Sequence, residues 1–245
     1  TGRMTHSSPN MGQVPAVYSP YGRECRDVWT VPEGYKLVGM DASGLELRML
    51  AHYMNDEAYT NEILTGDIHT ANQLAAGLET RDQAKTFIYA FLYGAGDAKI
   101  GSITGGTAKD GKRLKEKFLA NTPALGRLRE RVGVASGRGY VLGLDRRRVA
   151  IRSSHAALNS LLQSAGAIIM KKALCLLDEY ATIWGLDYHI IGNIHDEIQT
   201  EVREKDAERF GRLATSCVEA AGLFYKLNCP LAGDYKVGNS WADTH

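Results

Sequence analysis

Cysteine is scarce in this sequence and is spread too thinly to form a framework. The four cysteines, Cys25, Cys175, Cys217 and Cys229, include no C-x-x-C pair. Scattered single cysteines are typical of free thiols in a reducing compartment, and this pattern argues against disulfides and against a zinc site. We therefore expect neither in this protein.

Long uninterrupted apolar runs are also missing. The most apolar stretch, residues 156–177, is broken by Asn159, Gln163, Lys171 and Lys172. Because a membrane span needs about 20 predominantly apolar residues, this stretch predicts a buried amphipathic helix and no membrane association. The sequence also shows no pattern of a secretory leader and no internal repeat.

The net charge is close to zero, but the charges are unevenly distributed. The chain has 29 Lys and Arg against 28 Asp and Glu, a net charge of +1. Residues 99–152 hold 14 of the basic residues and 4 of the acidic ones, a balance of +10, which leaves −9 for the remainder. Such segregation suits a protein that binds phosphates with one region and cations with another. The alternative is a solvated basic helix face at residues 109–117.

A first candidate site lies at the end of an apolar run, residues 35–40, which stops at Asp41. Gly44 follows, and a helical pattern begins after it, so the segment predicts a strand, a tight turn and a helix. A carboxylate at a strand end, beside an exposed backbone carbonyl, suits a hard cation such as Mg²⁺. The alternative is that Asp41 is only a turn residue.

A second candidate site is a row of side chains at every fourth position, namely Arg81, Lys85, Tyr89 and Tyr93. Thr80 is the predicted N-cap of the helix that carries them. A helix rises about 1.5 Å per residue, so the row is nearly straight with steps of about 6 Å. A guanidinium, an ammonium and a flat ring in that order suit the phosphates, sugar and base of a nucleotide. The alternative is a basic solvated edge with core tyrosines.

A third candidate site separates two β-prone runs, residues 188–194 and 198–202. His195, Asp196 and Glu197 lie between them, so we predict a β-hairpin with acids at its tip. A carboxylate between two buried strands needs water, a cation or a base as its partner. The alternative is that these acids are simple turn residues.

The rest of the chain predicts mostly helices around these sites. Residues 1–35 carry four prolines and are expected to be extended and turning, with no helix. Residues 61–135 have a helical pattern, residues 140–151 predict a hairpin, and residues 155–180 predict a long helix.

Taken in order, the three sites resemble motifs A, B and C of the family A DNA polymerases. The phrases at residues 9–15 (PNMGQVP), 85–89 (KTFIY) and 158–166 (LNSLLQSAG) are similar to the replicative polymerases of short-tailed bacteriophages. The resemblance covers essentially the whole chain. It implies an α+β fold, in which a right-hand palm, an antiparallel sheet with flanking helices, is interrupted by helical fingers.

The resemblance also implies boundaries and a cofactor. Residues 1–57 and 147–245 would form the palm, and residues 58–146 would form the fingers. Asp41 and Asp196 would hold two Mg²⁺ ions, with the carbonyl of Ala42 completing one site. No zinc is expected.

The resemblance assigns the incoming dNTP to six side chains: Glu46, His69, Arg81, Lys85, Tyr89 and Tyr93. Arg81, Lys85 and His69 would hold the triphosphate, and Lys85 would protonate the leaving group. Glu46 would crowd the sugar C2′ position and so exclude ribonucleotides. Tyr93 would stack near the templating base. Outside the resemblance, Glu46 is a surface helix acid and Tyr93 a core tyrosine.

Primer-template DNA is the implied macromolecular partner. Arg3, Asn159, Gln163 and His195 match residues that touch the primer-template end, where Arg and Gln can read minor-groove acceptors common to all base pairs. The alternative for Asn159 and Gln163 is a buried helix amide satisfied by backbone.

The sequence departs from the family pattern at its start, because members normally carry an upstream thumb and a proofreading exonuclease domain. We therefore expect a palm-and-fingers portion that works with an upstream segment, in the cytoplasm of an infected bacterial host. The segment at residues 127–146 also looks short beside the phage polymerases. Two other hypotheses stay open: a nucleic-acid-binding remnant without catalysis, and a single-subunit RNA polymerase.

Overall fold

The computed structural model describes all residues, Thr1–His245. The helices are α1 (Gly22–Asp27), α2 (Leu45–Met54), α3 (Glu57–Leu64), α4 (Ile68–Ala76), α5 (Arg81–Leu92), α6 (Asp97–Gly101), α7 (Ala108–Asn121), α8 (Pro123–Ser136), α9 (Ala157–Ile183) and α10 (Ala207–Phe224). The strands are β1 (Tyr35–Ala42), β2 (Tyr140–Leu142), β3 (Arg148–Ala150), β4 (Tyr188–Ile194), β5 (Glu197–Arg203) and β6 (Gly233–Gly238).

The chain forms two compact units, which we name for their content. The sheet unit comprises residues 2–45 and 166–245, and the helical unit comprises residues 46–165 together with Thr1.

The sheet unit is built on a four-stranded antiparallel sheet in the order β4-β5-β1-β6. One face is covered by α10, which packs against β1 and β6. The Tyr235 ring lies so close to that helix that a Cβ on Gly211 would come within 2.1 Å of it. A glycine at position 211 is therefore what allows the sheet to approach the helix backbone.

The opposite face of the sheet is covered by the C-terminal segment. Gly39 in the middle of β1 leaves room for it, since a Cβ there would come within 2.4 Å of Gln199 Nε2 and 2.6 Å of the Thr244 carbonyl oxygen. Leu37 and Val38, on opposite faces of β1, are each 1% exposed. Strand β1 is therefore buried on both faces, which explains why its sequence reads as a continuous apolar run.

The helical unit packs around aromatic side chains. Phe118 of α7 meets Phe87 and Phe91 of α5 edge-on, with ring centroids 5.1 and 5.4 Å apart. Helix α5 begins with a capping box in which Thr80 and Gln83 satisfy each other's backbone amides. Thr80 was the predicted N-cap, and that prediction is confirmed.

The segment Ser154–Ile183, which contains α9, is long and apolar enough to cross a membrane by length and composition, with a mean hydropathy of 1.4. Of its most apolar window, 61% is buried inside the protein. A buried core helix meets the same criterion of length and composition.

Most of the predicted elements are present, including both hairpins, the strand ending near Asp41 and the long helix. The prediction that residues 1–35 contain no helix is wrong, because α1 forms there. A turn at Ala16–Ser19 leads into it, and Gly22 packs on the Ala16 carbonyl, where a Cβ would be 1.8 Å away. Arg26 of α1 then donates to the Pro15 carbonyl oxygen at 2.8 Å. The stability of helix α1 therefore comes from these contacts with Ala16 and Pro15 and not from burial of an amphipathic face.

Candidate active site

Asp41 and Asp196 are brought together by the sheet. Asp41 is the last residue but one of β1 and pairs in register with Glu197 of β5, the neighbour of Asp196. The backbone amide of Ala42 donates to the Asp196 carbonyl oxygen at 3.0 Å, which ties the hairpin tip to the end of β1. Two acids far apart in sequence therefore lie at one edge of the sheet unit.

The electrostatics of this pair show that the acids are close. Asp41 is partly open to solvent, yet burial raises its pKa to about 7, aided by the charges of Asp196, Glu197 and Asp234 and opposed by His245. Burial also raises the pKa of Asp196, while Arg3 and His195 oppose the shift. The negative charge at this edge is therefore only partly compensated by the protein.

Glu197 is the acid at this edge whose charge the protein does compensate. It is 5% exposed and accepts hydrogen bonds from Gln199 Nε2 at 2.5 Å, Trp241 Nε1 at 2.6 Å and His245 Nδ1 at 2.8 Å. Burial raises its pKa, but the bonds from His245, Gln199 and Trp241 outweigh burial, so the net shift is downward. Glu197 is thus a fixed anion beside Asp41.

A cavity of about 300 Å³ opens beside these groups and is lined by Asp41, Glu197, Asp234 and His245 among others. No three His, Cys, Asp or Glu side chains form a closed metal cage anywhere in the described chain. Mg²⁺ is commonly held by one or two carboxylates together with substrate phosphates, and not by an all-protein cage. Asp41 and Asp196, with their incompletely balanced charge, fit that manner of binding.

Two further predicted residues of the sheet unit lie beside Asp196. Arg3 is close enough to lower the pKa of that aspartate, as is His195. His195 adopts a left-handed backbone conformation with φ of 62° at the hairpin tip, and its ring lies against Gly12. The N-terminal segment and the hairpin tip therefore share one surface with the acids.

In the helical unit, Arg81 is already engaged by an internal partner. Its Nε and Nη2 donate to the two carboxylate oxygens of Asp67 at 2.6 and 3.2 Å. Asp67 is also the N-cap of α4, accepting from the amides of His69 and Thr70. The hydrogen bond from Arg81 is the largest cause of a lowered pKa for Asp67. Lys85, one turn further along α5, is exposed.

The other predicted nucleotide-binding side chains of this unit form a contiguous set. The His69 and Tyr89 rings are 6.4 Å apart, and so are the Tyr89 and Tyr93 rings. Tyr93 OH donates to Glu46 Oε2 at 2.8 Å. Burial lowers the pKa of His69, aided by Arg81 and Lys85, and its Nδ1 is buried without a hydrogen-bond partner. These residues thus share one surface, while their roles stay predictions.

Asn159 and Gln163 lie one turn apart near the start of α9 and are both half-buried. Oδ1 of Asn159 is buried and has no hydrogen-bond partner. An amide satisfied by backbone would have one, so this carbonyl retains an acceptor for a further group.

The sequence predicted Glu197 only as an acid of the hairpin tip, whereas the structure makes it the first residue of β5, directly opposite Asp41. Two further residues of these surfaces, Asp67 and His245, were not predicted as site residues. Asp67 carried only its helix-capping signal, and nothing local connects His245 to the acids.

The comparison with protein families decides the assignment. A model of DNA polymerase family A matches residues 1–243. The chain belongs to that family. The family predicted from motifs A, B and C is thereby confirmed, and so is the α+β fold with an antiparallel sheet.

Curated relatives of this family A chain include phage enzymes. The DNA-directed DNA polymerases of Enterobacteria phage T3 and Escherichia phage T7 are each 44% identical to it over 278 aligned positions, covering all of this chain and 40% of the relative. The chain therefore spans about two fifths of the length of these relatives. The alignment is longer than 245 residues, so each relative contains residues that this chain lacks.

A solved structure also resembles the family A chain. The polymerase domain of Pol1 from M. smegmatis, in complex with DNA primer-template and dNTP, matches with a TM-score of 0.88 and 25% identity. The match covers 98% of this chain and 46% of that one.

Proposed function

We propose that this chain carries out nucleotidyl transfer in a DNA-templated DNA polymerase, extending a primer 3′-end with dNTPs during phage DNA replication. The observation that carries the proposal is the meeting of Asp41 and Asp196 at one sheet edge, where burial, aided by the charge of Asp196, raises the pKa of Asp41 to about 7. Membership of DNA polymerase family A supports nucleotidyl transfer as the reaction in which these acids take part.

Asp41 and Asp196 would hold two Mg²⁺ ions, together with the carbonyl of Ala42. When bound, Mg²⁺ favours ionisation of the primer 3′-hydroxyl and neutralises charge on the triphosphate. The fixed anion at Glu197 adds negative potential beside Asp41 without being available to other partners, since three donors already occupy it.

The incoming dNTP would be held by the helical-unit surface described above. Arg81 and Lys85, with His69, would bind the triphosphate, Arg81 by exchanging the Asp67 carboxylate for phosphate oxygens. Glu46 would close the space beside the sugar C2′ position, held in place by Tyr93. Tyr89, between His69 and Tyr93, would offer its ring face to the nucleotide.

The transfer exchanges one phosphoanhydride bond for one phosphodiester bond. The primer 3′-oxygen loses its proton to solvent and attacks the α-phosphorus, while the bond from that phosphorus to the oxygen bridging it to the β-phosphorus breaks and pyrophosphate leaves. Lys85 would donate a proton to the leaving pyrophosphate. The chain's residues mainly orient the two reacting groups and balance charge.

Primer-template DNA would meet the chain at Arg3, His195, Asn159 and Gln163. The buried, unpartnered Oδ1 of Asn159 supports a contact with a further donor. The relative from M. smegmatis was solved with a primer-template and a dNTP, which supports the same partners here.

Primer extension with Mg²⁺ tests the proposal, with dNTPs or rNTPs and with the Asp196→Asn variant. Loss of a carboxylate that helps to hold the metals should slow synthesis by about 1,000-fold or more. Glu219→Gln on the exposed face of α10 is the matched control and should leave the rate unchanged.

The same assay separates the alternatives. Synthesis that survives Asp196→Asn would refute the role given to the acids. Preference for rNTPs would favour an RNA polymerase, and DNA binding without synthesis by the wild type would favour a non-catalytic remnant.

A further inference from the structure

Arg26 of α1 is a buried charged side chain outside the candidate site. It is 6% exposed, and arginine is almost never buried to that extent unless it is paired. Its Nε donates to the Pro15 carbonyl oxygen at 2.8 Å, but its Nη1 is buried without a hydrogen-bond partner. Burial lowers the pKa of this guanidinium, and the charge of Glu197 opposes the shift. Because burying such a group is costly, folding alone does not explain its position.

The face of the guanidinium lies against the indole ring of Trp241. The guanidinium carbon is 4.2 Å from the ring centroid, and the tryptophan is itself only 3% exposed. Attraction between a cation and an aromatic face is strongest at such a desolvated position. Two contacts, one with the ring and one with the Pro15 carbonyl, therefore fix the plane of the guanidinium and one face of the indole.

The edge of the same indole holds Glu197. Trp241 Nε1 donates to Glu197 Oε1 at 2.6 Å, and the Trp241 backbone amide donates to the Trp29 carbonyl oxygen at 3.0 Å. The ring thus lies between a guanidinium on its face and a carboxylate at its N–H group. The anion polarises the ring in the sense that attracts the cation, so the two contacts strengthen each other.

Glu197 connects this arrangement to the candidate metal-binding acids. It follows Asp196 in the sequence and lies opposite Asp41 in the register of β1 and β5. Two other side chains also donate to its carboxylate. Loss of the indole donor would free one side of a carboxylate that is next to both acids.

We infer that Arg26 is a positioning residue for the candidate metal-binding acids. Stacked on Trp241, it holds the indole so that Nε1 keeps the Glu197 carboxylate fixed beside Asp41. The inference rests on the proposed function, which gives the acids their metals. Removal of an outer group that orients the groups around a metal commonly lowers metal affinity or activity by about 10- to 100-fold.

Primer extension by the whole protein, as a function of Mg²⁺ and of dNTP concentration, tests the inference. Arg26→Met keeps a long side chain but removes the charge and the planar donors. It should lower the maximal rate about tenfold and raise the Mg²⁺ concentration at half-maximal rate, because the acids are less well held. KM for dNTP should change by less than about twofold, since the predicted nucleotide-binding side chains lie in the helical unit.

A double-mutant cycle tests whether Arg26 acts through the indole. Trp241→Phe removes the donor to Glu197 but keeps a ring under the guanidinium, so it should lower the maximal rate as Arg26→Met does. With Trp241→Phe present, Arg26→Met should lower that rate by less than about a further twofold. Arg23→Met is the matched control, because Arg23 lies on the same helix but is exposed and pairs with two surface acids. It should leave the rate and the Mg²⁺ requirement unchanged.

The fluorescence of Trp241 reports the position of the indole directly. In a Trp29→Phe/Trp184→Phe background, Trp241 is the only tryptophan in the chain. Because it is 3% exposed, its emission should resist quenching by acrylamide. Arg26→Met should remove much of that protection, whereas Arg23→Met should not.

Two kinetic results would overturn the inference. If the effects of Arg26→Met and Trp241→Phe on the maximal rate multiply in the double variant, Arg26 acts by another route. If Arg26→Met lowers the Mg²⁺ requirement at an unchanged maximal rate, Arg26 acts only as a charge, since removing a nearby cation strengthens cation binding.

The inference stays testable if Arg26→Met does not fold. Arg26→Lys keeps the charge but lacks the planar group, so it should also lower the maximal rate. A wild-type rate in Arg26→Lys or in Trp241→Phe excludes the positioning role. A wild-type protein without Mg²⁺-dependent synthesis would instead refute the proposed function.

Discussion

Trp241, in the C-terminal segment, donates a hydrogen bond to Glu197 beside the candidate metal-binding acids. Replacing Trp241 by phenylalanine tests how much this hydrogen bond contributes to the stability of the fold. Trp241 is 3% exposed, and its Nε1 donates to the buried Glu197 carboxylate at 2.6 Å. A hydrogen bond to a charged group contributes about 1.5–3 kcal/mol, and the smaller ring leaves a cavity that costs about 1 kcal/mol more. We expect Trp241→Phe to lower the melting temperature by roughly 5–15 °C in this size of chain.

Thermal unfolding followed by circular dichroism measures this shift, and the chain provides a matched control. Trp184 is 42% exposed and contacts Arg209, whose guanidinium carbon lies 4.6 Å from the ring centroid. Trp184→Phe makes the same chemical change without removing a buried donor, so it should shift the melting temperature by about 2 °C or less. Equal shifts for the two variants would refute the account of Trp241.

The effect should also depend on pH with a definite sign. Glu197 has a pKa lowered by its hydrogen bonds from His245, Gln199 and Trp241 against the opposing effect of burial. A carboxyl group whose pKa is lower in the folded state stabilises that state at every pH above its unfolded-state pKa of about 4.3. This stabilisation is lost as the pH falls through the folded-state pKa. The difference in melting temperature between the wild type and Trp241→Phe should therefore be largest at pH 7 and smaller below about pH 4. A difference that widens on acidification would contradict the reasoning.

Asp41, Asp67 and Glu46 can each be tested by a single substitution. Asp41→Asn should stabilise the protein more at pH 8 than at pH 5 in thermal unfolding without Mg²⁺, because a pKa raised to about 7 means that ionisation of Asp41 destabilises the fold as the pH rises. Asp67→Asn keeps the N-cap but frees Arg81, so equilibrium titration should show dNTP binding about two- to five-fold tighter; weaker binding would mean that Asp67 orients Arg81. Glu46→Ala should raise ribonucleotide incorporation about tenfold or more in primer extension, and unchanged sugar selection would remove Glu46 from that role.

The sequence was most informative where the chemistry is local. Asp41 near a strand end, Thr80 before a helix and Asp196 in the β4-β5 turn each carry signals within a few residues, and all three elements formed as predicted. Helix α1 was missed because its contacts with Ala16 and Pro15 leave no periodic pattern.

The partners of the candidate site residues were harder to predict, because they depend on tertiary contacts. Arg81 and Asp67, which pair with each other, are 14 residues apart in the sequence and belong to the first turns of different helices. Trp241 and Glu197, which share a hydrogen bond, are 44 residues apart. Strand register decides that Glu197 faces the same side as Asp41, and register is fixed only when the sheet assembles. The residue types of a site can therefore be found from sequence before their surroundings can.

The surroundings have consequences for binding that the residue types alone do not suggest. Arg81 is already paired with Asp67, so a triphosphate must replace a carboxylate, and the net gain is the difference between two similar interactions. Asp41 is instead crowded by like charges, so a cation adds attraction where there was repulsion. We therefore expect cations to stabilise the sheet edge by themselves, whereas nucleotide phosphates bind at Arg81 in exchange for an existing partner.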